Sequence, residues 1–561
     1  MAIGSFVLVL HGHVPYVLKH GRWPHGDHWV FEAAAETYLP LLEVIESCRA
    51  AGGRCPITLG LTPILLEQLS HPNFKERFPA WLAEREERAH RDEVEFESWG
   101  DAHLVSLARR WADRYERLNT LFDAIKGDLP GAFAQLWNEG QIELISSSAT
   151  HGYTPLLLQD SSIRAQIRMG LKTSERVLGR RPTGYWLPEC AYRPGGPWTP
   201  AVGTTPSRVR LGTDQHLARE GVKFTILDAQ MFRGARSEGI RTQDGYVKVG
   251  WDQAAWDVGR VWRSVLEPHI ASTDGTDTDL TVFGRHPEVS EQVWSGQVGY
   301  PADGRYLEFH KKHGSDGLRY WKVTSARAGL GEKERYSPED VHGAVFSHAQ
   351  HFCSVVRGIL RQHHERHGRE GVVVAPFDAE LFGHWWAEGP IFLRDVMLTL
   401  NADPEITVRT ASEQLASLPA DKVAWFPEGS WGAGGDHRVW LNDDLKWMWE
   451  VIYQNESRFG ELCLTLPWRE DGEVEALLKD AARELLLLQA SDWPFVISTK
   501  GAPDYGIKRF SGHATRFDRL CDMAQAVAKG EILSETDLAV LNEARACDDI
   551  FPDLDLNLWG E

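Results

Sequence analysis

Apolar positions along the chain follow two alternating periods. "SFVLVLH" (5–11) precedes the helical pattern "EAAAETYLPLLEVIESCRAAG", and "CPITLGLT" precedes "PILLEQLS". "QIELISSSATH" (141–151) leads into "SSIRAQIRMGLKTSERVLG", and the runs "TGYWLPE" (183–189), "KFTILDA" (223–229) and "LTVFGR" (280–285) follow. A long amphipathic stretch, "SPEDVHGAVFSHAQHFCSVVRGILRQHHERHG", then delivers "GVVVAPFD" (371–378). Buried, β-branched strands alternating with helices predict parallel pairing, in an α/β barrel or a doubly wound sheet.

Two stretches break the alternation. Residues from about 73 to 138 are highly charged and helical, and read as an inserted helical subdomain. Residues from about 231 to 281 are rich in Gly and Asp ("RGARSEGIRTQDGYVKVGW", "STDGTDTD") and read as long loops. Past about residue 410 the strand signal fades into amphipathic helices such as "EVEALLKDAARELLLLQASDWPF". The division expected is a strand–helix part over 1–410 and a helical C-terminal part over 411–561.

Composition narrows the function classes. A net charge of −20 over 561 residues argues against binding a phosphate backbone, which needs clustered Lys and Arg. The seven cysteines are scattered without a CxxC, which fits reduced thiols in a cytoplasmic protein. "MAIGSFVLVLHGH" lacks a basic leader and reads as a first strand, and no run approaches the roughly 20 apolar residues of a membrane span. The 23 tryptophans outnumber the 13 tyrosines, and many sit beside Gly, Pro, Asp and His. Such surroundings mark loops, where an indole face serves as a binding platform.

The chemistry-bearing residues gather where strands end. Four runs close on His11 and His13, on His151, on Glu189 and on Asp378. In parallel α/β architectures that end of the sheet carries the site. A single strand-end carboxylate is an ordinary helix cap or surface group. Two of them in aromatic-flanked segments suit glycoside chemistry, in which one attacks the anomeric carbon and the other protonates the leaving oxygen. Glu380 competes with Asp378 for the second role. His11 and His13 share one strand face, so with His151 and an aspartate they could instead hold zinc, as in a metal-dependent carbohydrate deacetylase. A carbohydrate-binding module without catalysis is disfavoured by length. Nucleotide-dependent transfer is disfavoured because neither a Walker loop nor a GxGxxG occurs.

The segments "HGHVPY", "GQIELISSSATHGYTPLL", "GYWLPECAYRPGGPW", "PFDAELFGHWWAEGP" and "VRTASEQL" resemble, in order, the five sequence regions of glycoside hydrolase family 57. The similarity is greatest to its branching members and continues through "PEGSWGAGGDHRVWLN" and "RELLLLQASDWPF". It implies a (β/α)7 barrel with an inserted helical subdomain and an α-helical C-terminal domain. It also implies Glu189 as nucleophile and Asp378 as acid/base, roughly 5–5.5 Å apart in a retaining enzyme, with no cofactor and no metal. His11, His13 and His151 then bind substrate. So do Trp23, Arg285, Trp294, Trp431, Trp440 and Asp492, together with Ala302 through its backbone and Tyr246 as the tyrosine of an active-site loop. The activity implied is cleavage of an α-1,4 glucosidic bond and transfer to a 6-hydroxyl, forming an α-1,6 branch. The partners are α-glucans (amylose, glycogen, maltooligosaccharides), with no nucleic acid and no membrane. An amylase-like hydrolase of the same family is the alternative.

Overall fold

The computed structural model describes residues 2–242, 245–248, 264–273 and 276–560. Seven strands form a closed parallel ring: β1 (Gly4–Gly12), β2 (Ile57–Leu61), β3 (Glu143–Ser147), β4 (Tyr185–Trp186), β5 (Phe224–Leu227), β6 (Thr276–Gly284) and β7 (Gly371–Asp378). Ladders join β1 to β2, β2 to β3, β3 to β4, and β5 to β6. Single parallel bridges, Gly184 to Phe224 and Arg285 to Val374, carry the ring from β4 to β5 and from β6 to β7. The ladder from Gly4↔Gly371 to His11↔Asp378 closes it.

Strand parity decides what points inward. Val7 and Val9 of β1 pack with Ile145, Trp186, Phe224, Ile226, Phe283, Val372 and Val374 in one small cluster inside the ring. Phe6, Leu8 and Leu10 belong to the larger core between the ring and its helices. Both faces of β1 are buried, which is why its sequence is a continuous apolar run rather than an alternating one. The inward parity of Val7 and Val9 continues to His11, and that of Val372 and Val374 to Asp378. Apolar packing along these strands therefore aims both polar groups at the C-terminal mouth.

The helices cover the ring from outside. Gly170 permits the closest approach, because a Cβ there would lie 2.1 Å from the Ser147 carbonyl oxygen. Between β2 and β3 run α1 (Pro72–Ser98) and α2 (Ala102–Ala124), which pack lengthwise through Trp81, Phe96, Tyr115, Leu118 and Phe122. The C-terminal region is helical from Lys446 onward, with α3 (Gly472–Leu488), α4 (Asp492–Ser498) and α5 (Pro503–Ala528) beside the ring mouth.

The Gly- and Asp-rich stretch differs from the loops expected of it. Strands Arg236–Thr242, Gly245–Lys248 and His269–Thr273 join β5, β6 and Lys422–Trp425 in a second six-stranded sheet. Their short β-branched segments lie between turn residues, so the composition of the whole stretch hid them. Lys422–Trp425 also shows that strand structure persists past residue 410, in a piece too short to display a period. Among the described residues no helix is long and apolar enough to cross a membrane.

Candidate active site

Trp186, the last residue of β4, forms the floor of the ring mouth. The His11 imidazole lies flat on it, with ring centroids 4.7 Å apart and planes 16° from parallel. Trp431 meets the same indole edge-on at 5.1 Å. Just past Trp186 the chain makes a 3-10 turn over Pro188–Cys190, in which Glu189 adopts a left-handed backbone with φ 60° and ψ 24°. His151 (φ 59°) and Cys190 (φ 49°) share that conformation. Non-glycine residues rarely adopt it, and such strain concentrates where a side chain must be aimed.

The aim of Glu189 is held by three groups. The Trp431 indole N–H donates to Oε2 at 2.8 Å, and the Trp431 backbone N–H donates to the Glu189 carbonyl at 3.0 Å. The Ser491 hydroxyl donates to Oε1 at 3.3 Å. Ser491 has one proton and gives it to Glu189, so it must accept from His151 Nδ1, 2.8 Å away. His151 Nε2 is then an acceptor, served by the His11 Nε2–H at 3.0 Å. That leaves His11 Nδ1 without a proton, in agreement with its being buried and unpartnered. Burial holds both His11 and His151 well below the usual imidazole range, so both are neutral, as this directional chain requires.

His13 behaves differently. Burial alone would depress it, but Asp492, Glu380 and Glu189 overcome that and raise its pKa. Its Nε2 lies 2.9 Å from Asp492 Oδ1 and its Nδ1 lies 3.1 Å from Thr62 Oγ1. His13, His151 and Asp492 offer donor atoms within 4.8 Å of one another, a set able to hold a divalent cation. The hydrogen bonds just described use the same side chains, and a chelator distinguishes the two uses.

Burial raises the Glu189 carboxyl from 4.5 to about 7, and the Asp492 charge adds to the effect against the Trp431 hydrogen bond. Asp378 is pushed well above the usual carboxylate range by burial and then by the Glu380 and Glu189 charges, with Arg285 opposing. Glu189 and Asp378, 189 positions apart in the chain, therefore share one electrostatic site. Glu380 has another occupation: it accepts the His13 backbone N–H at 2.9 Å and the Tyr38 hydroxyl. Arg285 bonds Ser290 Oγ at 3.0 Å and Asp228 Oδ2 at 3.3 Å, with its guanidinium over Trp294 and Trp431. Trp294 meets Trp431 edge-on at 5.8 Å.

The remaining residues singled out in the sequence lie elsewhere or in other roles. Trp440 is 1% exposed, between Tyr153 (4.8 Å) and Phe495 (6.4 Å), so its faces do not form the open platform expected. Its indole N–H is buried without a partner. Trp23 is 45% exposed and lines a separate cleft of about 670 Å³. Ala302 ends a 3-10 turn, and its backbone N–H already donates to Gly299. A backbone contact at Ala302 is therefore left to its carbonyl. Tyr246 lies on strand Gly245–Lys248, paired with Arg241, and its side chain lies outside the described residues.

Sequence reasoning missed Ser491, Trp186, Thr62 and Asp228. Asp228 closes β5 in "TILDA" and was open to the same strand-end reading as Asp378. Ser491 had no signal beyond standing next to Asp492.

Comparison with known proteins agrees with this geometry. The model of glycosyl hydrolase family 57 matches residues 7–426, and that of the 1,4-alpha-glucan branching enzyme C-terminal domain matches residues 451–559. The 1,4-alpha-glucan branching enzyme of Thermococcus kodakarensis is 37% identical over 98% of this chain and 77% of its own length. The crystal structure of a branching enzyme of this family from Pyrococcus horikoshii superposes with a TM-score of 0.89 at 35% identity, covering 99% of this chain and 97% of that one. The alpha-amylase AmyC from Thermotoga maritima follows with a TM-score of 0.82 at 27% identity, covering 100% and 99%. A closed seven-stranded ring, two carboxyls at its mouth and a family match over most of its length place this chain in glycosyl hydrolase family 57.

Proposed function

We propose that the protein is a 1,4-α-glucan branching enzyme working by retaining double displacement, with Glu189 as nucleophile and Asp378 as acid/base. The observation that carries this reading is geometric: Asp378 pairs across strands with His11, and the hydrogen-bond chain from His11 through His151 and Ser491 ends on Glu189 at the same mouth. The opposite end of the ring offers a contrast. There Glu143 accepts from the Thr58 hydroxyl at 3.1 Å and from the Ser412 backbone N–H and hydroxyl, so both of its oxygens are engaged in holding the structure. The glutamate and aspartate at the mouth keep one carboxyl hydrogen-bonded for attack and the other protonated for donation.

In the first step Glu189 attacks the anomeric carbon of an α-1,4 linkage. The C–O bond to the leaving chain breaks, and that oxygen takes the proton held by Asp378. The Trp431 and Ser491 hydrogen bonds fix the direction of attack. In the second step Asp378 removes the proton from a 6-hydroxyl of an acceptor chain. The new oxygen–carbon bond then displaces Glu189 with a second inversion, leaving an α-1,6 branch. His13 and Asp492, paired beside the carboxyls, are placed to bond sugar hydroxyls, and the Trp294–Trp431 pair presents ring faces to the sugar. Branching over hydrolysis is favoured by likeness to proteins named branching enzymes at 35–37% identity, against 27% for the amylase. Seven free thiols support a reducing, cytoplasmic setting, and a branching activity there would serve storage-glucan synthesis.

The test is incubation with amylose, read by proton NMR and by a reducing-end assay. New α-1,6 anomeric signals with few new reducing ends mean transfer. Many reducing ends without branches mean the amylase reading is right and this one wrong.

A further inference from the structure

The loop after Asp378 is tied to a single turn of helix. Asp378 makes the last pair of the β1–β7 ladder, opposite His11, so beyond it the chain is held by other contacts. It turns through Ala379–Leu381 and continues to Gly383 and His384. Facing this loop is a π-helical turn, Ala34–Tyr38, set between two α-helical segments. A π turn holds more residues than an α turn, so it rotates successive side chains through a smaller angle and lets sequence neighbours face one partner. Three consecutive residues do so here. Tyr38 donates its hydroxyl to Glu380, Thr37 Oγ1 accepts the His384 backbone N–H at 3.2 Å, and Glu36 Oε2 accepts the His384 Nδ1–H at 2.6 Å. The two backbones also touch: Gly383 has φ 126°, and a Cβ there would lie 1.8 Å from the Glu36 carbonyl oxygen.

Arg319 joins the arrangement from a third segment. One arm of its guanidinium donates to Glu36 Oε1 at 2.6 Å, and the other donates to the His384 carbonyl at 3.1 Å. Its own carbonyl accepts the Trp111 indole N–H at 2.8 Å, so α2 of the helical insertion stands behind it. Burial pushes the Glu36 carboxyl up, but Arg319 and His384 bring it down to about 2, so the buried pair is ionic. A planar fork that spans a carboxylate and a carbonyl fixes angle as well as distance, which a lysine ammonium cannot do. Glu36 and Arg319 therefore act on the loop, and the loop carries Asp378.

We infer that Glu36 and Arg319 are positioning residues for the proton transfers made by Asp378, acting through the loop over residues 380–384. The inference rests on the proposed activity and extends it to groups behind the ring mouth. The proton on Asp378 must lie on the line to the leaving oxygen, and a displacement of about 1 Å can cost on the order of a hundredfold in rate. Loosening the loop should impair a displacement that needs a proton and spare one that does not. A merely structural role would impair both alike.

The test compares two leaving groups in the full-length enzyme. A glucan chain leaves well only when its oxygen is protonated, whereas the fluoride of maltotriosyl α-fluoride departs without a proton donor. The quantities read are kcat/KM for amylose cleavage and kcat/KM for fluoride release at an ion-selective electrode. Glu36→Gln and Arg319→Lys should each lower the first by roughly tenfold or more and the second by less than about threefold. Asp378→Asn should show the same selectivity in stronger form. Thr37→Val removes a single loop contact and carries the test should the charge variants fail to fold; it should shift the ratio of the two values in the same direction, by about threefold. Equal fractional loss on both substrates, or no loss on either, would overturn the inference. If Asp378→Asn loses both equally, or if the parent forms no branches and releases no fluoride, the proposed activity fails instead.

Discussion

The indole N–H of Trp431 should set the acid side of the pH–rate profile. Glu189 attacks only as the carboxylate, and burial raises its pKa to about 7. Trp431 works against that rise by donating to Oε2 at 2.8 Å, an interaction made more strongly with the ionised form. Trp431→Phe keeps an aromatic ring in place and deletes the donor. A hydrogen bond to a charged group contributes roughly 1.5–3 kcal/mol, and one pKa unit corresponds to about 1.4 kcal/mol. Even with partial replacement by water, Glu189 should move upward by about one unit.

The consequence is largest below neutrality. At pH 6 a carboxyl of pKa about 7 is ionised roughly one time in ten, and a further unit reduces that to about one in a hundred. Trp431→Phe should therefore lose about tenfold in kcat/KM at pH 6 beyond whatever it loses at pH 9. The assay is kcat/KM against pH on amylose for parent and variant, and the quantity read is the position of the acid limb rather than its plateau height. A uniform drop at every pH, with the limb unmoved, would show that Trp431 acts only as a stacking surface and would refute this assignment of its N–H.

Much of this site was legible in the sequence because strand parity is strict. Val7, Val9 and His11 alternate onto one face, as do Val372, Val374 and Asp378, so an apolar run already states where its terminal polar residue points. The ring itself was less legible from the residues alone. β4 is two residues long, and the β4–β5 and β6–β7 joints are single bridges, so no run at these places is long enough to distinguish a closed ring from an open sheet. The second sheet escaped for a related reason: strands such as Lys422–Trp425 gain stability from partners far away in sequence, which local composition cannot display. Trp440 shows the limit of reading function from loop composition. "GGDHRVW" suggested an exposed ring, but Tyr153, from the loop after β3, and Phe495, from α4, enclose it. Ser491 illustrates another limit. Its importance lies in standing between His151 and Glu189 in space, and neither neighbour is near it in the chain.

The remaining expectations concern the same groups. Glu189→Gln and Asp378→Asn should each reduce turnover by roughly a thousandfold or more with unchanged far-UV circular dichroism, and a variant keeping most of its activity would remove that residue from the mechanism. Ser491→Ala should lower kcat more than it raises KM, because it frees one oxygen of the nucleophile and breaks the His11–His151 chain; an effect on KM alone would make Ser491 a substrate contact. Dialysis against EDTA should leave activity intact, whereas loss followed by recovery with zinc would assign His13, His151 and Asp492 to a metal. The last expectation is thermodynamic. Folding raises the Glu189 carboxyl from 4.5 to about 7, so the folded state keeps a proton that the unfolded chain releases between those values. The carboxyl therefore adds no penalty below its unfolded pKa, and the penalty grows as pH rises through the folded one, reaching about 3 kcal/mol. Glu189→Gln cannot ionise and escapes that penalty, so by scanning calorimetry its advantage over the parent in apparent Tm should be small at pH 5 and clear at pH 8. An advantage of equal size at both pH values would mean that the nucleophile is not held protonated by its surroundings, and the acid limb predicted for Trp431→Phe would lose its physical basis with it.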